Sequence, residues 1–447
     1  MRLTSLSSGD VPAGTARLLR RMLCPLTGLT QAIGFVLRDP MEPRLAVAGG
    51  EMTGVHMLRG SRPPKPGAYH IGGCGTTYAE ALIKTLGETI ERYSHFAALA
   101  DGLAVTLTTS RMARADDTPS FVPDGSALFS GEQYRRPGFP FEPLSEDREI
   151  GWVRARSLID GAPVAIPAQQ ALVGYLRSPG EPRFTAGVTT GSAAHTDPVK
   201  ALRNALLEVV QIDAAIGLWH GAAKPVQIVL DERVAAAGRA IDRTLHPHGP
   251  SLRFFWLPNP DLVGLSVACL VESPAAPHVA LGLGCDLRLS QAIYKAFLEG
   301  VAVAHLAKII LFRQRVEEAA AAAAADHAVT FYDLDSNVGH YASGADGEVI
   351  RSRFPGRTPI AASRVAPDAG GSPSQDVARL IEAFAATSKR LALLDLTTPD
   401  VADLGFAALR VWSPDTLCLP LPSAPPLLHP RFAAYGGVAL DRPHPYP

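Results

Sequence analysis

Cysteine is scarce in this chain and scattered: Cys24, Cys74, Cys269, Cys285 and Cys418 are the only five in 447 residues, and none forms a C-x-x-C pair. A disulfide framework or a zinc knuckle is therefore not expected, and the reduced thiols of a cytoplasmic protein are. Neither sign of charge is in excess, with 42 basic residues against 43 acidic ones. Without a basic stripe to capture phosphodiesters, nucleic acid is not expected as a partner. The longest apolar stretch, residues 301–312, is interrupted by His305 and Lys308 and is too short to span a bilayer. The first residues, Met1 to Leu6, run into polar sequence instead of the apolar core of a secretory signal. Also missing are G-x-x-x-x-G-K-[ST], the spacing of a dinucleotide fingerprint, H-E-x-x-H and G-x-S-x-G. His246-Pro247-His248 reads as a proline-bent loop, not a metal site.

What is present describes an ordinary folded protein, 47% hydrophobic and 19% charged. The length suits roughly two to four core-forming units. Proline and glycine gather at 60–67, 119–143 and 367–373, which read as loops. Residues 227–230 and 391–396 are strand candidates, and 316–325, with seven consecutive alanines, is an exposed or linking helix.

The informative feature is a repeat. ALIKTLGETIER (81–92), ALRNALLEVVQI (201–212) and AIYKAFLEGVAV (292–303) align so that Glu88, Glu208 and Glu299 share one register and Lys84, Asn204 and Lys295 share another, four residues earlier. Positions four apart lie on one helical face. A glycine-bearing stretch precedes each segment, at 72–75, 189–192 and 282–285. Start signals agree: Thr77 with Glu80 forms a capping-box pattern, and Asp197-Pro198 sets a capping side chain before a first-turn proline.

Glu88, Glu91 and Arg92 project from one face of the first segment, and Glu208 with Gln211 from the second. Carboxylates brought together raise one another's pKa and invite a cation. Magnesium, which prefers hard oxygen ligands and is commonly shared with phosphates, is the natural one, and Arg92 is placed for a phosphate oxygen. The chain closes on Pro443-His444-Pro445-Tyr446-Pro447. Alternate prolines favour an extended polyproline strand reaching on the order of 15 Å, able to carry a terminal carboxylate into a pocket as a proton acceptor.

These residues resemble the YcaO family, in particular its azoline-forming cyclodehydratases, the type that builds thiazole- and oxazole-modified microcins. Residues 84–93, KTLGETIERY, look like the family's S-A-L-G-E-A-I-E-R-Y stretch; 189–213 are similar to its second nucleotide-binding stretch; and DLTTPD (395–400), RVWSP (410–414) and the P-x-P-x-P ending complete the match. The resemblance runs from Pro25-Leu26-Thr27-Gly28 to the last residue, and it divides the chain into an N-terminal segment, 1–20, and a YcaO domain, 21–447, whose tail is 443–447.

The resemblance implies an α+β fold, with mixed and antiparallel sheets and helices around a central site for ATP and Mg2+. It assigns Glu88, Glu91 and Glu208 to the metal, and Arg92, Lys84, Gln211 and Glu299 with them to the nucleotide. It assigns Pro443, Pro445 and Pro447 to catalysis. The implied reaction has a Cys, Ser or Thr of a ribosomal precursor peptide attack the preceding amide carbonyl; ATP phosphorylates the oxygen, and loss of phosphate leaves a thiazoline or oxazoline. A separate ThiF-like partner that binds the leader peptide is expected in a multi-subunit complex, and a flavin-dependent dehydrogenase if the rings are oxidised. The chain departs from the family pattern at Lys84, where Ser is usual, at Gln211-Ile212, where Glu-Arg is, and at Val303, where Gln is common. Two other readings stay open: a YcaO enzyme that makes thioamides with an external nucleophile such as sulfide, and a catalytically silent scaffold of a peptide-modifying complex.

Overall fold

The computed structural model describes residues 11–24, 28–52, 54–58, 60, 70–115, 128–320, 331–356 and 358–447. Among the described residues the fold is α+β, built on three sheets. The first runs β1 (Thr30–Phe35), β2 (Ala46–Met52), β3 (His70–Gly75), antiparallel throughout. The second, also antiparallel, runs Val105–Thr109, Glu149–Ser157, Ala392–Asp395, Ala407–Trp412, β4 (Ser192–His195), with Pro163–Pro167 attached beside Glu149–Ser157. The third starts at β5 (Val279–Asp286) and continues through Leu265–Glu272, Ser251–Leu257 and Val226–Val229 to a short parallel strand, Ile360–Ala361. Two of these strands are the ones the apolar runs at 227–230 and 391–396 predict.

The sequence repeat becomes a repeat of architecture. β3, β4 and β5 are each an edge strand of their own sheet, and each leads into a long helix: α1 (Tyr78–Ala100), α2 (Pro198–His220) and α3 (Leu289–Ala320). The start signals work as expected for α2, where Asp197 Oδ1 accepts from Val199 N at 2.9 Å and Pro198 needs no donor. At α1 only half of the capping box forms. Thr77 Oγ1 accepts from Glu80 N at 3.2 Å, but the Glu80 carboxylate reaches past it to Thr76 N, at 2.9 Å, because it also holds Lys84 Nζ at 2.8 Å.

Each helix lies hard against the strand that feeds it, and glycine makes this possible. A Cβ on Gly73 would strike the backbone of Ala81 and Thr85 in α1, and one on Gly282 would strike the backbone nitrogen of Gly300 in α3. Backbone on both sides leaves nothing to yield, so Gly282→Ala should cost about 3 kcal/mol of stability through overpacking, read from the urea midpoint; an unchanged midpoint would refute the close packing.

The core is divided accordingly. One apolar cluster joins the third sheet to α3 through Val267, Cys269, Ile293 and Phe297, and another joins α1 to the second sheet through Leu86, Ile90, Val153 and Leu394. The helix Ala13–Met22 packs Met22 into this second cluster and pairs Arg21 with Asp403, so the boundary drawn after residue 20 falls inside a packed helix. The alanine run continues α3 as far as Ala320; its remainder and part of the loops at 60–67 and 119–143 lie outside the described residues, as do residues 1–10 and 25–27. Among the described residues no helix is long and apolar enough to cross a membrane.

Candidate active site

The three helices converge on one cavity of about 1390 Å³. Glu88, Glu91, Arg92 and Lys84 enter its lining from α1, Glu208 and Asn204 from α2, and Glu299 and Lys295 from α3. The shared register has a shared geometry. Gly72 N in β3 donates to Glu88 Oε2 at 2.7 Å, sixteen positions back along the chain. Leu283 of β5, again sixteen positions back, bonds Glu299 through its backbone, and Gly191, just before β4 and seventeen back, does the same for Glu208. The lysines repeat as well: Lys84 Nζ donates to Cys74 O and Lys295 Nζ to Cys285 O, both at 3.0 Å. Each edge strand and its helix thus form a module that presents one carboxylate held by its own backbone.

Arg92 is held between Glu88 Oε1, at 2.7 Å, and His70 O, at 2.8 Å. Lys84 also pairs with Glu80, and Lys295 with Asp286 at 2.9 Å. The carboxylates on the cavity floor are only partly exposed, and this dominates their chemistry. Burial, followed by the charges of Glu208 and Glu88, lifts Glu91 well above the ordinary glutamate range. Burial likewise raises Glu208 to about 8, against the relief given by Arg410, and Glu299 to about 7.

Acids in this state fit a hard divalent cation, whose charge offsets the repulsion that otherwise keeps them protonated. The trio Glu88, Glu91 and Glu208 is not a closed cage, however: among the described residues no three His, Cys, Asp or Glu side chains are grouped to hold a metal ion unaided. An open arrangement of this kind suits Mg2+, which is commonly shared between carboxylates and phosphate oxygens and completes its octahedron with water.

The raised values also fix a sign. Between the ordinary value of 4.5 and about 8, folded Glu208 keeps a proton that the unfolded chain has lost, so stability falls as pH rises across that window. Without nucleotide and metal, the Tm should drop by several degrees from about pH 5 to about pH 8, and Glu208→Gln should flatten the slope. Calorimetric scans with an equally steep slope in the variant would remove Glu208 as the cause.

Gln211 is not part of the cavity wall. It is angularly close to Glu208 but almost a turn further along α2, where the helix passes into the packed interior from Ile212 to His220. The same burial accounts for Ile212, which stands in apolar core where the family has an arginine. Val303 lines the cavity.

Of the tail prolines, Pro447 reaches the cavity; Pro443 and Pro445 do not line it and act as the rod that carries Pro447 there. The rod is tied down residue by residue. Trp219 Nε1 donates to Arg442 O at 3.1 Å, Tyr341 Oη to Pro443 O at 2.7 Å, and Asn337 Nδ2 to His444 O and Tyr446 O at 2.6 and 2.8 Å. Tyr446 is fully buried, its ring edge-on to Trp219. Upstream, buried Asp213 of α2 accepts from Arg431 and from Tyr435 Oη, fixing the turn from which the tail departs.

Behind the carboxylates lies a group that sequence reasoning missed. Arg410, fully buried in the strand paired with β4, donates to Thr190 O and, at 3.3 Å, to Ser192 Oγ. His95, one turn beyond Glu91 in α1, has Nε2 2.8 Å from the same oxygen. The signal for Arg410 was a charged residue inside an apolar strand run, ALRVW.

Residues 72–417 match the family model described as YcaO cyclodehydratase, ATP-ad Mg2+-binding. That is most of the chain, and the chain belongs to the YcaO family, an enzyme family whose cofactors are ATP and Mg2+. Among solved structures, a heterocyclase in complex with substrate and cofactor superposes with a TM-score of 0.71 at 17% identity, over 98% of this chain and 57% of that one. YcaO from Methanopyrus kandleri bound with AMPPCP and Mg2+ gives 0.57 at 15%, over 96% and 92%, and the E. coli microcin synthetase McbBCD complex 0.61 at 12%, over 94% and 98%. The chain therefore spans little more than half the length of that first heterocyclase. At these identities the likeness concerns the fold. No curated protein sequence matches the chain.

Proposed function

We propose that the chain is the ATP-dependent cyclodehydratase subunit of a peptide-modifying complex, forming thiazolines or oxazolines from Cys, Ser or Thr of a ribosomal precursor. The observation that carries this reading is that one cavity unites carboxylates from three separate sheet-edge modules with Pro447 of the docked tail. Its volume of about 1390 Å³ exceeds the roughly 300–1,000 Å³ usual for one small ligand, leaving space for nucleotide and peptide together.

Bound there, MgATP supplies an electrophilic phosphoryl group that lets the amide oxygen depart as phosphate. The chain does the rest by position and charge. Glu88, Glu91 and Glu208 would hold the metal, and Arg92, already oriented by His70 O, would neutralise phosphate charge. Lys84 and Lys295, on matching sites of α1 and α3, add positive charge at the wall, and Glu299 closes the acidic floor. The tail sets Pro447 on the substrate side.

A separate leader-binding, ThiF-like protein, and a flavin-dependent dehydrogenase where azoles are made, complete the assembly. A solved neighbour, the McbBCD complex with pro-MccB17 bound, supports a multi-subunit arrangement of this sort. The test is mass spectrometry of a Cys-containing precursor incubated with the chain, its partner, ATP and Mg2+. Loss of one water per ring, matched by phosphate release, is expected. Gain of sulfur would move the assignment to thioamide formation, and absence of peptide-dependent phosphate release would leave a scaffold.

A further inference from the structure

Ser192 opens β4, is 3% exposed and lines the cavity. Its hydroxyl has two lone pairs and one proton to place. Val173 N donates to His95 Nδ1, at 3.4 Å, so the ring proton resides on Nε2, which is then a donor to Ser192 Oγ at 2.8 Å. Arg410 Nη1 donates to the same oxygen at 3.3 Å. Two donors from beneath occupy both lone pairs, and neither can take the hydroxyl proton. Among the described residues no carboxylate takes it either, since the side-chain bonds of Ser192 go to His95 and Arg410.

The arrangement persists across the working pH range, because complete burial, helped by Arg410 and Arg92, drives His95 down to about 3 and keeps the ring neutral. Arg410 and Ser192 are also cross-strand partners in register, and Arg410 grips Thr190 O one residue before Gly191, the glycine whose backbone holds Glu208. The hydroxyl is therefore fixed beside a metal-side carboxylate.

We propose that Ser192 is a phosphate-binding hydroxyl of the nucleotide site, its proton aimed into the cavity by His95 and Arg410 underneath. The proposal rests on the reading of the cavity as an ATP site. It assigns His95 and Arg410 as positioning residues that never meet the nucleotide.

Calorimetric titration of the full chain with AMPPCP and Mg2+, and separately with adenosine, tests it. Ser192→Ala should weaken AMPPCP binding about tenfold or more, the scale of one hydrogen bond to a charged group, and leave adenosine unaffected. His95→Gln, which keeps an N–H near the position of Nε2, should stay within about threefold of the unaltered chain. A change below about twofold for Ser192→Ala overturns the proposal while leaving the ATP site intact. Failure of AMPPCP to bind the unaltered chain overturns both. Should the variants not fold, 15N NMR of histidine in the unaltered, ligand-free chain decides: an Nε2–H tautomer at His95 is expected, whereas an Nδ1–H tautomer would turn the serine proton inward and refute the assignment.

Discussion

Glu91→Gln should abolish ATP turnover, by about a thousandfold or more, and at the same time raise the Tm of the ligand-free chain by a few degrees. The two halves of this result follow from one fact. Burial and the neighbouring Glu208 and Glu88 charges make ionised Glu91 unfavourable in the folded chain, so the isosteric amide relieves strain while deleting a proposed ligand for the cation. A carboxylate retained for structure behaves in the opposite way, since its loss leaves donors unsatisfied and lowers the Tm. Phosphate release and scanning calorimetry on one preparation separate the cases. Turnover within about tenfold of the parent would remove Glu91 from the metal site. Glu88 is a less clean probe, because Gly72 N and Arg92 both depend on it and Glu88→Ala disturbs the strand–helix module as well as the cation.

Deletion of residues 443–447 should lower ring formation about a hundredfold, the cost of misplacing groups around a reacting centre, while AMPPCP affinity moves by less than about threefold. The carboxylates and Arg92 take their bonds from the backbone of their own modules, and the tail meets α2 at Trp219, three turns beyond Glu208. Pro447 itself goes with the tail. The point variant Tyr446→Ala should reproduce the loss, for it empties a fully buried site against Trp219 at a cost of about 3–5 kcal/mol, more than the few hydrogen bonds of the tail restore. Quantifying rings by mass spectrometry beside nucleotide titration checks both variants, and an active deletion would reduce the tail to a structural strap.

The acidic register was readable because Glu88, Glu208 and Glu299 repeat within similar apolar surroundings, and helical periodicity converts such spacing directly into a face. Depth along a helix is a different matter. Gln211 shares the face of Glu208 but lies beyond the cavity floor, and only the packing of Ile212 to His220 shows where that floor ends. Arg410 escaped for a related reason. It is presented to Ser192 by a strand more than two hundred positions later in the chain, and pairing between distant strands is not written in local pattern. His95 lies one turn beyond Arg92, the last residue of the repeated segment. The half-formed cap at Thr77 shows a local rule yielding to a competing ion pair with Lys84.

The three modules each bring their acid from the rim of a different sheet. A nascent or partly melted molecule, with one sheet undocked, holds α1 with its two acids but lacks the opposing charge that makes them compete for a cation. The acidic cavity is thus a property of the assembled fold and of no single module.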